Sequence, residues 1–282
     1  MQAAQHYFIP SPSHWPIVGS VALAFMGFGA AFLMNDIAAG PWMLAIGLAI
    51  LAWMMVGWFG TVARESETGR YGPQVDISFR WSMSWFIFSE VMFFAAFFGA
   101  LFYMRVLSVP DLATVDTGGL LWPDFKAGWP VSGPGIEETF TPMGAWGIPA
   151  INTLILLTSG VTVTWAHWGL KKNNRTQLNL GLAATVALGI LFLCLQVYEY
   201  VHAFHELNLK LSMGAYGATF FMLTGFHGFH VTIGTIMLIV ILGRCLAGHF
   251  KPENHFAFEA VSWYWHFVDV VWLMLFILVY WL

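Results

Sequence analysis

Ser89-Glu90-Val91-Met92-Phe93-Phe94 sets a carboxylate inside an apolar run from about Phe79 to Val106, with Phe86, Ile87 and Phe88 just before it. Charging a carboxylate in hydrocarbon is costly, so such a residue is protonated, partnered, or turned toward protein and water. Such an acid should react with a hydrophobic carbodiimide, and it needs a bond to another helix to settle it. The rest of the chain can be read as the scaffold that supplies one.

Composition widens that reading to the whole chain. Of its 282 residues 59% are hydrophobic and 9% charged, with a mean hydropathy of +0.70. A soluble domain carries about 25% charged residues, so the chain reads as an all-α integral membrane protein. Fifteen Trp and 26 Phe suit helix packing and interfacial aromatic belts. No basic stripe is present that could hold phosphates, which excludes nucleic acid as a partner. Cys194 and Cys245 lie in different apolar runs, so a disulfide framework is not expected. The segment 1–16 is amphipathic and aromatic and lacks Lys and Arg, so no cleavable leader is visible and the first span is expected to direct insertion.

Seven apolar segments are long enough for the roughly 30 Å of hydrocarbon that takes about 20 residues to cross. They fall at about 15–35, 42–64, 79–107, 147–170, 176–204, 213–246 and 257–282. With the N-terminus inside, the loops after the second, fourth and sixth segments and their flanks hold Arg64, Arg70, Arg80, Lys171, Lys172, Arg175, Arg244 and Lys251, eight of the eleven basic residues. Arg105, Lys126 and Lys210 lie on the other side. The positive-inside rule then predicts a cytoplasmic N-terminus and an outer C-terminus. The long connection 107–145, rich in Gly and Pro, falls on the outer face, where it packs on the protein or receives a partner.

Polar residues inside the spans carry a structural reading and a functional one. Glu199-Tyr200-Val201-His202 has the Glu-x-x-His spacing of carboxylate-bridged di-iron sites, but such a site needs the motif twice and no second copy exists. His227 and His230, three apart, share one helix face and suit partnership with Glu90 or Glu199 better than a metal. Glu259, Ser262, His266 and Asp269 form one stripe on an aromatic helix, which must face the bundle or another subunit. That stripe can be a proton relay or a helix–helix hydrogen-bond seam, and the seam needs fewer assumptions. His167 and its small polar neighbours in the fourth segment are read in the same structural way.

Six runs together carry a family resemblance: Phe226-His227-Gly228-Phe229-His230-Val231, Phe258-Glu259-Ala260, Trp263-Tyr264-Trp265-His266-Phe267-Val268-Asp269-Val270-Val271-Trp272, Ser89-Glu90-Val91 with its Phe pair, Ser159-Gly160-Val161 followed by Thr164-Trp165-Ala166-His167, and Arg64-Glu65-Ser66. From about Trp58 onward the chain resembles subunit III of aa3-type cytochrome c oxidase, a haem–copper oxidase. The longer 107–145 loop and the exit of the fifth segment, His202 to Lys210, are similar to bacterial members.

The resemblance implies a two-helix N-terminal arm, 1–70, splayed from a five-helix bundle, 71–282, with phospholipids in a V-shaped cleft. It implies a non-redox accessory subunit of the complex that passes electrons from cytochrome c to O2 and pumps protons. This chain would bind no haem, copper or other metal; haem a and copper would lie in partner subunits. Subunit I, subunit II and a small extra subunit are the implied protein partners, and the bacterial inner membrane is the implied location. Lipid headgroups would meet Trp58, Arg64, Glu65, Arg70, Arg244 and His255; the plain alternative is positive-inside flanking without ordered lipid. Glu90 would be a buried carboxyl of functional or structural role, and His167, Glu199, His227, His230, Glu259, His266 and Asp269 would form a buried polar network. Two alternatives stand beside this reading: the equivalent subunit of a quinol oxidase, and a stand-alone proton-coupled transporter.

Overall fold

The computed structural model describes residues 8–114 and 121–282. The first seven residues of the N-terminal amphipathic segment and residues 115–120 of the long loop lie outside them. Among the described residues seven helices are long and apolar enough to cross a membrane, and there is no strand beyond one isolated Lys251–Asn254 bridge. We number the helices α1 (Trp15–Met34), α2 (Gly40–Glu67), α3 (Pro73–Phe102), α4 (Ile148–Lys171), α5 (Arg175–His205), α6 (Gly214–Leu246) and α7 (Phe256–Leu275). A π-helical turn, Tyr103–Ser108, and a last turn, Val109–Asp111, carry α3 onward; a π-helical turn, Phe276–Trp281, does the same for α7.

The helix starts follow from local chemistry. Pro16, Pro41, Pro73 and Pro149 each sit in the first turn of a helix, where a missing N–H is no loss. Asn174 caps α5 by accepting from the Gln177 backbone N–H at 3.1 Å. The sequence places the third span at about 79–107, but α3 begins at Pro73. Gln74, Asp76 and Ser78 lower the hydropathy there, yet they follow a proline suited to a helix start and put an acid in the first turn, next to the helix dipole.

The chain divides into two compact units, 1–79 and 80–282. In the first, α1 and α2 form a tight hairpin. A Cβ at Gly29 would fall 2.5 Å from Leu44 N, and one at Gly40 would fall 2.5 Å from Leu33 N. Such close backbone approach is how transmembrane helices associate without a hydrophobic driving force. Beyond α2, the Tyr71 hydroxyl donates to Glu65 Oε2 at 2.7 Å, and its ring meets Phe8 and Phe79 edge-on. Burial, and then the bond to Glu65, push the Tyr71 pKa above its ordinary value.

In the second unit α4 packs on α5 and α7, and α6 packs on α5 and α7, closing a ring of four helices. Trp265, Trp272, Phe192, Phe220 and Phe258 are its largest fully buried side chains. The part of α3 in this unit meets α6 and α7 through Phe93 on Phe226, Phe94 on His230 and Phe86 on Tyr264. The described part of the long loop folds back on the same unit. Phe140 stacks on Tyr216 at 5.3 Å and Trp129 meets it edge-on. Thr141 N–H donates to Leu207 O at 2.9 Å, and Ala215 N–H to Ser132 O at 2.8 Å.

Candidate functional site

Glu90 sits near the middle of α3, and His230 of α6 meets it: His230 Nε2 lies 2.9 Å from Glu90 Oε2. The other ring nitrogen, Nδ1, lies 2.6 Å from the Phe226 carbonyl and must donate to it. The Nε2–Glu90 contact therefore holds one further proton, on the imidazole or on the carboxyl. Either placement leaves the pair neutral overall, which meets the cost of a carboxylate in hydrocarbon. The side chains are 22% and 9% exposed, among the rings of Phe93, Phe94 and Tyr264.

Glu199 of α5 is fully buried. Its partner is not a histidine: the Tyr280 hydroxyl, from the π turn after α7, donates to Glu199 Oε1 at 2.6 Å. His202, three residues on, turns to the surface and lies 3.1 Å from Glu206, so the Glu-x-x-His spacing does not converge on one centre. His227 bonds the Val268 carbonyl at 3.2 Å and packs against Trp272 and Phe192.

The α7 stripe meets α4 along its length. Trp272 Nε1 donates to Thr153 at 2.9 Å, Trp265 Nε1 to Ser159 at 2.8 Å, and His266 Nε2 lies 3.2 Å from Thr164 Oγ1. Asp269 lies against Gly160, where any Cβ would strike its carboxylate. Small residues on α4 thus admit the polar groups of α7. His266, 44% exposed at its side chain, reaches Asp269 at 3.7 Å.

At the first turn of α7, Glu259 receives Arg80 of α3 at 2.5 Å. Its other oxygen faces two imidazoles, with His255 Nε2 at 3.2 Å and His167 Nε2 at 3.5 Å. The two Nε2 atoms are 3.3 Å apart. His255, grouped in the sequence with the lipid-facing residues, thus turns its ring to the end of α4.

The remaining residues of that group lie at helix ends. Trp58 is exposed on α2, and Arg64 Nε donates to the Gly60 carbonyl at 3.3 Å. Arg70 approaches Glu65 at 3.8 Å. Within the second unit, Arg244 stands over the Phe250 ring at 4.5 Å.

Comparison with known proteins bears directly on this arrangement. The family model described as Cytochrome c oxidase subunit III matches residues 5–282. The chain belongs to that family. Cytochrome c oxidase subunit 3 of Marchantia polymorpha is 41% identical over 276 residues, covering 98% of this chain and 96% of the relative. The protein of the same name from Scyliorhinus canicula is 40% identical over 279 residues, 99% and 97% of the two chains. A subunit III chain is the accessory subunit of the haem–copper oxidase, part of an oxidoreductase complex. The quinol-oxidase and stand-alone transporter alternatives are not favoured by this assignment.

Two features of this subunit III chain escape sequence reasoning. Tyr280 carries no sequence signal that singles it out, yet it is buried on Glu199. The gathering of Arg80, His167, His255 and Glu259 joins three distant stretches, and its only local signal is the i,i+4 spacing of His255 and Glu259.

Proposed function

We propose that this subunit is a non-redox buttress of the oxidase, which holds phospholipid against the catalytic subunit I, stabilises it during turnover and supports proton uptake. One observation carries the reading: three carboxylates of the bundle are each taken up by a neighbour from another helix, Glu90 by His230, Glu199 by Tyr280 and Glu259 by Arg80. These groups tie helices together instead of lining a path. Haem a and copper belong, on this reading, to the partner subunits. His227 and His230 already bond a carbonyl and a carboxylate, which supports it. Subunit II and a small extra subunit complete the assembly, with 1–70 as the two-helix arm and 71–282 as the bundle. The eight-to-three distribution of basic residues supports a cytoplasmic N-terminus and a periplasmic C-terminus in a bacterial plasma membrane.

If Glu90 ties helices, an oxidase carrying Glu90→Gln should pump with the parent's proton stoichiometry in reconstituted vesicles. The amide can still bond His230, so retention of the subunit should fall only slightly. Loss of pumping with the subunit still bound would give Glu90 a place on the proton's route.

The lipid arm of the proposal rests on Arg64 and Arg70 in the first unit and Arg244 in the second. Such cations at helix ends suit headgroup phosphates, and an exposed Trp58 suits the headgroup boundary. The double variant Arg64→Ala/Arg244→Ala should yield a complex with less co-purifying phospholipid, one that loses activity several-fold sooner under continuous turnover. Parent-like lipid content together with parent-like endurance would refute the buttress.

A further inference from the structure

The cluster at the first turn of α7 turns three potential metal-ligand atoms toward one point. His255 Nδ1 lies 3.2 Å from the Lys251 carbonyl and donates to it, so in the neutral ring Nε2 presents a lone pair. That lone pair faces Glu259 Oε1 at 3.2 Å and the ring nitrogen His167 Nε2 at 3.3 Å, and the latter two are 3.5 Å apart. The three ligating atoms form a nearly equilateral triangle. A charge-assisted N–H···O bond within the cluster would close to about 2.7–2.9 Å, whereas these edges all stay longer. A tetrahedral ion with bonds of about 2.0–2.2 Å has ligand–ligand edges of about 3.3–3.6 Å. Among the described residues this is the one group of three His, Cys, Asp or Glu side chains that converges in this way.

We infer that His167, His255 and Glu259 form a binding site for a divalent cation of the zinc class, with water in the fourth position. Two imidazoles and a carboxylate are a donor set that zinc favours. The side chains are 18%, 10% and 13% exposed, so solvent reaches the site and an ion can enter. The Lys251 carbonyl fixes the His255 tautomer, and Arg80 on the second carboxylate oxygen fixes Glu259, the outer support that metal ligands use. A bound ion would clamp the last turn of α4 to the first turn of α7. The inference is independent of the lipid reading.

The test uses the intact oxidase complex, stripped with a chelator and titrated with zinc chloride. The parent should take up one more zinc ion than the His255→Asn variant, or hold that ion at least tenfold more tightly. With Co2+ as the probe, the visible bands of a tetrahedral nitrogen–oxygen site should appear in the parent and vanish in the variant. Crystals of the parent soaked in zinc should show an anomalous peak among the three side chains, a readout that needs no variant. Equal zinc binding in parent and variant overturns the site, as does a soaked parent crystal without that peak.

Discussion

Replacing Trp265 by alanine should destabilise the bundle by about 3–5 kcal/mol, the range for truncating a large aromatic in a packed core. The indole is fully buried at the centre of the helix ring. Gly189 of α5 and Gly234 of α6 lie so close that a Cβ on either would come within 2.9 Å of its ring. Two neighbouring helices therefore touch one side chain, and a third, α4, receives its N–H through Ser159. Collapse around the void is blocked by the helix backbones, so the cavity should persist. Trp265→Phe separates the contributions: it keeps most of the ring and loses one hydrogen bond, worth about 1 kcal/mol. Detergent-unfolding titrations, together with the amount of subunit co-purifying with the complex, should rank parent above Phe and Phe well above Ala. Equal losses in the two variants would mean that the hydrogen bond, not the packing, holds this centre.

The second large effect is expected at Glu199. Tyr280→Phe removes the donor to Glu199 Oε1 and leaves a fully buried carboxyl with that oxygen unmet. Leaving such a group without its partner costs about 1–3 kcal/mol, and more for a charged one. The neighbourhood offers little relief in side chains, since Glu199 Oε2 and both amide atoms of Gln196 have no hydrogen-bond partner among the described residues. The informative comparison is the double variant Tyr280→Phe/Glu199→Leu, which replaces both members by apolar groups. It should be more stable than Tyr280→Phe alone, giving a coupling of at least about 1 kcal/mol in a double-mutant cycle. Strict additivity would show that the two groups do not depend on each other.

The spans were legible because crossing hydrocarbon demands length and apolarity, and both are local properties. The start of α3 was not, because hydropathy counts Asp76 and Ser78 against a helix, while Pro73 and the helix dipole favour one. Glu90 announced its need for a partner by its setting alone. That the partner is His230 depends on helix rotation, which α6 fixes through Phe226 packing on Phe93 and Phe97. The His167–His255–Glu259 cluster was the hardest to foresee. His167 reads as one more polar residue at a helix end and His255 as a headgroup contact in a basic loop; only the packing of α4 on α7 brings them together. The Tyr280–Glu199 bond depends in the same way on how the π turn after α7 aims the Tyr280 ring into the bundle.

The α1–α2 glycines have a consequence for how the N-terminal hairpin behaves as a mechanical part. Gly40 meets Leu33 across the turn itself, and Gly29 meets Leu44 about one helical turn further along, so the two rods are fused at the bend. Neither can slide or roll by even a fraction of a side-chain width without driving backbone into backbone. Any sideways push from surrounding acyl chains is then felt by both rods at once. The pair should respond as a stiff lever, able to pivot but unable to shear.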